Sequence, residues 1–381
     1  MAKKLRIGIL FGGRSGEHEV SLKSAASILK AIDRKKFQVI PIGISKSGQW
    51  LTGPSASALL TGAPVPAASE AASEAVTAPP SASVSSLTSH AASLGPAGPI
   101  DVVFPVLHGT FGEDGTIQGL FELADMAYVG SGVLGSASGM DKDAMKRLFL
   151  AAKLPIVKHV TVLRSQWEAS PRKTISRIEA DLKYPLFVKP ANLGSSVGIS
   201  KAHNRKELSP ALTLAAKFDR KLVIEQGVHG SGRSGASKKA RELEVAVLGN
   251  DNPKASVVGE IIPGKEFYDY EDKYLAEGSV PIIPAKLTPA ESKTIRAMAV
   301  DAFRACDLAG LARVDFLMEP DGRRRIYLNE VNTLPGFTSI SMYPKLWQAT
   351  GLSYTNLITT LIELAIERHT ERARTSFSYE G

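Results

Sequence analysis

Hydrophobic and polar positions along this chain repeat with two different periods, and the places where the period changes mark its elements. Leu5 to Leu10 is a short apolar run, followed by a glycine-rich turn from Phe11 to Gly16. Val20 to Ile32 repeats at helical spacing, and Phe37 to Ile44 returns to strand character. Strand, helix and strand in that order make a βαβ opening, which predicts a parallel sheet in an α/β protein. Strands resume at Ile100 to Leu107 and Met126 to Val129, and a helix is predicted from about Asp141 to Ala152. Beyond it the pattern breaks into short strands at Leu186 to Lys189, Val197 to Ser200, Leu222 to Glu225 and Glu242 to Leu248.

Three stretches lack such periodicity. Pro54 to Pro99 is dominated by Ala, Ser, Pro and Gly, with Glu70 and Glu74 as its only acids, so it holds too little apolar surface to order itself and reads as a mobile insertion. His229 to Ala240 is a second interruption, rich in Gly, Ser and Lys, and Arg368 to Gly381 reads as a fraying tail.

The 381 residues are enough for two or three cores. With 44% hydrophobic and 22% charged residues the composition is that of an ordinary globular protein, and no apolar run is long enough to span a bilayer. A net charge of +8 raises the question of nucleic acid. Lys and Arg are absent between Lys46 and Lys142, though, and elsewhere they are mixed with acids, so a surface that attracts small anions is expected instead. No export signal opens the chain, and the single cysteine, Cys306, cannot form an internal disulfide; both suit a reducing, cytoplasmic compartment. Cys306 sits among Val300, Phe303 and Leu308 and reads as a core residue.

Alternation in Ala312 to Met318 places Arg313 and Asp315 on one face of a strand and Val314 and Phe316 on the other. After the turn Pro320-Asp-Gly322, the strand Ile326 to Asn332 puts Glu330 and Asn332 on one face by the same rule. If the strands pair, Asp315, Glu330 and Asn332 gather three oxygen donors with two negative charges, a set suited to Mg²⁺; a solvated face with salt bridges is the alternative. Lys189 ends a strand and precedes the small-residue loop Pro190 to Gly198, whose backbone N–H groups and hydroxyls could cradle phosphate, or which could be an ordinary hairpin loop. Asp141 is a plausible N-cap, which leaves Lys142 at the positive end of a helix dipole, either serving an anion or simply exposed. The loop Gly12 to Glu17 lacks the spacing of a dinucleotide fingerprint.

Seven segments together carry a resemblance. They are Phe11-Gly-Gly-Arg-Ser-Gly-Glu-His-Glu-Val-Ser21, His108-Gly-Thr-Phe-Gly-Glu-Asp-Gly-Thr-Ile-Gln-Gly119, Gly139-Met-Asp-Lys142, the Lys189 to Gly198 loop, Tyr268-Asp-Tyr-Glu-Asp-Lys-Tyr274, Arg313-Val-Asp-Phe316 and Asn329-Glu-Val-Asn-Thr-Leu-Pro-Gly336. In this order they resemble the D-alanine, D-alanine ligases of the ATP-grasp superfamily. The resemblance implies a three-domain ATP-grasp architecture with an N-terminal Rossmann-like domain. On this chain that gives residues 1–130 with the insertion 54–99, a central part 131–226, a C-terminal part 227–370 and a tail 371–381. It implies ATP and Mg²⁺, with Mn²⁺ as an alternative metal, D-alanine as both substrates, and a homodimer; no nucleic acid or membrane partner is implied.

By motif match, Lys142, Lys189, Ser196, Glu225, Gln226, Val228 and Glu242 are similar to nucleotide contacts, and Asp315, Glu330 and Asn332 to the metal ligands. Glu17, Ser195 and Tyr274 resemble a hydrogen-bonded set gripping the first substrate, for which the bland reading of Glu17 is a helix cap. Arg313 and the Gly336 backbone resemble an oxyanion hole. His108, Lys273, Ser341 and Met342 resemble substrate contacts, and Glu266 to Leu275 a closing lid. The two insertions are longer than the family's usual connections, which bears most on Val228 and Glu242. Other readings are a D-alanine, D-lactate ligase, another ATP-grasp amino-acid ligase, or a regulator that binds nucleotide without catalysis; loss of the metal ligands would mark the last.

Overall fold

The computed structural model describes residues 3–63, 100–230, 238–262, 279–376 and 378. Its first sheet grows from β1 (Leu5–Gly12), which is buried at every position after Leu5 because helices cover both faces of the sheet. With β2 (Phe37–Ile44), β3 (Trp50–Thr52), β4 (Val102–Val106) and β5 (Ala127–Tyr128) it forms the order β3-β2-β1-β4-β5. All pairings are parallel except that of β2 with β3. The helix α1 (His18–Ala31) makes the predicted βαβ connection.

The stretch read as a mobile insertion does not begin at Pro54. Gly53–Thr61 forms a helix, α2, with Pro54 in its first turn, and Ala56, Leu59 and Leu60 pack on the core. Those three positions follow the i, i+3, i+4 rule, but the Ala/Ser/Pro composition around them masks it. Residues 64–99 lie outside the described residues.

A second, antiparallel sheet contains β6 (His159–Leu163), β7 (Leu186–Pro190), β8 (Ser200–Ala202) and β9 (Lys221–Gln226), in the order β6-β9-β7-β8. It has its own core, which includes Val162, Trp167, Ile178, Leu186, Leu212 and Ile224. The strand expected at Val197 to Ser200 instead starts at Ser200. Ser195, Ser196 and Gly198 have φ of 50°, 59° and 72°, a left-handed backbone that cannot continue a strand.

Within the interruption at His229 to Ala240, His229–Gly230 (β10) pairs with Lys238–Lys239 (β11), and residues 231–237 lie outside the described residues. The third sheet then assembles β12 (Arg241–Gly249), β13 (Lys254–Ile262), β14 (Val280–Ile282), β15 (Gly310–Met318) and β16 (Ile326–Asn332) in the order β14-β13-β12-β15-β16, antiparallel throughout. The C-terminal helix Tyr354–Arg372 is shared between sheets. Its Leu357 and Leu361 join Ile7 and Phe104 of the first sheet and Ala246 and Leu311 of the third in one apolar cluster, so these two sheets form one packed body.

The fraying expected from Arg368 does not begin there. The helix continues to Arg372, Arg368 lies 4.2 Å from the Tyr128 ring centroid, and Arg372 pairs with Glu122 at 2.5 Å. Long cationic side chains hold this end, which a search for apolar periodicity does not see. Cys306 is buried, as expected. No helix among the described residues is long and apolar enough to cross a membrane.

Candidate active site

The paired strands β15 and β16 behave as alternation requires. Asp315 is opposite Glu330 and Arg313 opposite Asn332, while Val314 and Phe316 are buried on the other face. A bulge after Asp315 leaves Asn329 as the extra residue, which keeps Glu330 and Asn332 on the polar face while Leu328 stays in the core. Next door, β12 adds Glu244 opposite Asp315. The Arg313 guanidinium forks onto Asp315 at 2.7 and 2.6 Å and reaches Glu244 at 3.3 Å, and Lys142 Nζ lies 3.9 Å from Glu330.

The facing wall comes from β7, β9 and the helix Lys142–Ala151. Asp141 caps that helix, accepting from the Asp143 and Ala144 N–H groups at 3.0 Å each. Lys142 is not exposed: it is buried and donates to the Leu193 carbonyl at 2.8 Å, which ties the helix start to the glycine loop. One turn on, Lys146 is fully buried and pairs with Glu225 at 2.8 Å, while Lys189 takes the other Glu225 oxygen at 2.6 Å. Burial alone would raise the Glu225 pKa, but the two ammonium groups bring it down to about 2. Burial works against the Lys189 charge, yet Glu225 and then Glu330 raise its pKa above the ordinary value.

The third wall is the start of α1. Glu17 occupies its N-cap position but makes no capping bond, so the bland reading of this carboxylate fails. It points at the loop, where a Cβ placed on Gly194 would lie 2.7 Å from Glu17 Oε1. Ser15 binds the His108 carbonyl at 2.6 Å, and Ser195 lines the same cavity as Glu17. Ser341 accepts from the Thr338 N–H at 3.0 Å, and its hydroxyl would lie 2.8 Å from a Cβ on Gly336.

His108 lies buried beneath these walls. Burial lowers its pKa, so the ring is neutral near pH 7. The contacts assign its tautomer: Nδ1–H donates to the Leu334 carbonyl at 3.0 Å, and Nε2 accepts from Ser24 at 3.2 Å. Ser24 in turn accepts from the Phe337 N–H at 3.2 Å, so His108 sets the backbone on both sides of Gly336. Glu17, His108 and Glu113 lie close enough together to hold a metal ion. However, both His108 nitrogens are engaged and Glu113 Oε1 accepts from the Gly109 N–H at 2.9 Å, so this set reads as a hydrogen-bonded floor. Burial, and then the Glu17 charge, raises the Glu113 pKa well above the carboxylate range.

Two cavities meet here. One of about 640 Å³ is lined by Lys189, Ser196, Glu225, Gln226, Val228 and Glu242 on one side and by Arg313, Asp315 and Glu330 on the other. The second, of about 430 Å³, is lined by Glu17, Lys142, Ser195, Asn332, Gly336, Ser341 and Met342. Glu244, Arg313 and Glu330 line both, so a molecule in each would meet at Arg313.

This arrangement can be set beside known proteins. Models described as D-ala D-ala ligase N-terminus and D-ala D-ala ligase C-terminus match residues 6–131 and 148–363. The chain belongs to the D-alanine–D-alanine ligase family. A D-alanine--D-alanine ligase of Natranaerobius thermophilus is 50% identical over 381 residues, covering 99% of each chain. Among solved structures, the D-alanine-D-alanine ligase from Coxiella burnetii superposes with a TM-score of 0.76 at 34% identity, covering 98% of this chain and 97% of that one. The VanG D-Ala:D-Ser ligase from Enterococcus faecalis gives a TM-score of 0.78 at 36% identity, covering 95% and 100%. The mixed α/β architecture is the ATP-grasp fold of these ligases.

For a member of this family, most of the residues singled out in the sequence converge on the two joined cavities. Lys273 and Tyr274 lie outside the described residues, as does the candidate lid. Lys146, Glu113 and Glu244 escaped the sequence reading. Lys146 carried a signal, being a lysine on the apolar face of Met145 and Phe149, one turn after Lys142. Glu113 and Glu244 carried none beyond their segments, since Glu113 is surrounded by Glu17, Lys142 and Arg313 and Glu244 by β15, all distant along the chain.

The oxygen donors fit a hard divalent cation. Asp315 and Glu330 are register partners, and the cations now beside them, Arg313 and Lys142, are long side chains able to turn toward other anions. The Asn332 amide oxygen accepts from the Leu334 N–H at 3.2 Å, which fixes its orientation on that face.

Proposed function

We propose that this enzyme joins two D-alanine molecules into D-alanyl-D-alanine for peptidoglycan, with ATP cleaved to ADP and phosphate. The observation that carries this reading is the junction of the two cavities at Arg313, Glu244 and Glu330. A nucleotide in the larger and an amino acid in the smaller would place a phosphate next to a carboxylate.

Residues 1–130, 131–226 and 227–370 form three domains, with 371–381 as a tail, and ATP sits between the last two domains. Ser196, Gln226, Val228 and Glu242 contact the nucleotide. Asp315, Glu330 and Asn332 would hold Mg²⁺, which would supply charge neutralisation at the phosphates. Two anions must approach for the carboxylate oxygen of the first D-alanine to attack the γ-phosphorus. Lys142, Lys189 and Arg313 offset their repulsion.

Glu17 accepts from the first substrate's ammonium group, with Ser195 and Tyr274 closing the set. Ser341 and Met342, with Lys273, hold the second substrate, whose amine attacks the acyl carbon. Arg313 and the Gly336 N–H stabilise the resulting oxyanion, and phosphate leaves with one oxygen of the original carboxylate. His108 acts by fixing the Gly336 backbone. The enzyme works in the cytoplasm as a homodimer.

Incubation of the purified protein with ATP, Mg²⁺ and D-alanine, followed by product analysis, tests this; one ADP per dipeptide is expected, and ADP without dipeptide would refute it. Adding D-serine or D-lactate in competition ranks the second nucleophiles.

A further inference from the structure

We propose that Lys146, which touches neither cavity, is a positioning residue that keeps the phosphate-facing charge of Lys189 from being cancelled by Glu225. The inference rests on the reading of Lys189 as a phosphate contact. Glu225 is buried with one oxygen 2.6 Å from Lys189 and the other 2.8 Å from Lys146. Were Lys189 its only partner, the two would form a neutral pair, and Lys189 would offer a triphosphate little more than a dipole.

With Lys146 present the trio carries one surplus positive charge. Lys146 is fully buried, anchored to Glu225 and to the Asn329 carbonyl at 3.4 Å, and does not line the cleft, so the surplus is delivered at Lys189, which does. Desolvation explains why the arrangement is specific. A third buried ion is costly unless its charge is used, and replacing it with a hydrocarbon would pack as well. The contact with Asn329 also couples this charge to β16, the strand that carries Glu330. Glu330 and Glu242 lie near Lys189 as well, but neither changes in the variants below.

Because Lys146 cannot reach a ligand, its effect should follow the ligand's phosphates and not its adenine. Binding of ADP and of adenosine is measured by calorimetry on the full-length protein and on Lys146→Met, Lys146→Arg, Lys189→Met and the double variant Lys146→Met/Glu225→Gln. Lys146→Met should weaken ADP by about tenfold or more, the scale of one unit charge at close range, and leave adenosine unchanged. Lys146→Arg should restore much of the loss. The double variant, in which Lys189 is no longer paired with Glu225, should recover the ADP-to-adenosine affinity ratio.

Equal loss of both ligands in Lys146→Met, or a further fall of the ratio in the double variant, would reduce Lys146 to a packing residue. ADP affinity untouched in Lys146→Met but lowered in Lys189→Met would overturn the inference alone. ADP affinity untouched in Lys189→Met would instead overturn the phosphate reading on which it rests.

Discussion

Glu225→Gln separates the electrostatic role of this buried carboxylate from its shape. Glutamine is nearly isosteric but cannot neutralise Lys146 or Lys189, so the variant keeps the packing and loses the charge. The Glu225 pKa falls from an ordinary 4.5 to about 2 in the folded protein. A depression of that size is worth about 3 kcal/mol of folding stability at neutral pH, at roughly 1.4 kcal/mol per pH unit. The sign follows from the depression: the contribution is complete above the unfolded-state value and is lost as pH falls through the folded one. Between pH 4.5 and about 2, therefore, the wild-type protein should approach its variant. Urea unfolding of both proteins across the acid range measures the gap. It should be about 3 kcal/mol at pH 7 and shrink to about 1 kcal/mol by pH 3. A gap that stays constant with pH would show that the loss is packing, and the ionised triad would be wrong.

Other perturbations reach the chemistry. Arg313→Ala should lower turnover by about 10²-fold or more, the scale for one donor to a developing oxyanion, and a near-normal kcat would remove Arg313 from the centre. Gly194→Ala places a Cβ 2.7 Å from Glu17 Oε1, so it should raise KM for D-alanine in steady-state assays; an unchanged KM would mean that Glu17 is not held against this loop. Asp315→Asn removes one of two carboxylates from the metal set, and the Mg²⁺ concentration for half-maximal activity should rise by about tenfold or more. An unchanged Mg²⁺ dependence would place the ion elsewhere.

What could be read from the chain depended on how local its cause was. The Asp315–Glu330 pairing was legible because a two-residue period and a turn at Pro320 to Gly322 dictate which faces meet, and the structure pairs those residues in register. Lys142 broke a dipole rule, and its side chain proves to be bound inward to Leu193. Glu17 could not be told from a helix cap by sequence pattern, since the two readings differ only in where the side chain points. The helix at Gly53–Thr61 was hidden by composition, and the held C-terminal helix by its use of arginines in place of apolar contacts. Glu113 and Glu244 owe their burial to neighbours far along the chain, so no local pattern marks them.

Transfer of oxygen addresses the central claim, that a substrate carboxylate is phosphorylated in this centre. D-alanine labelled with ¹⁸O in its carboxylate is turned over with ATP, and the inorganic phosphate is analysed by mass spectrometry. One labelled oxygen in phosphate for each dipeptide formed is the result expected. Phosphate without label, alongside labelled dipeptide, would contradict it.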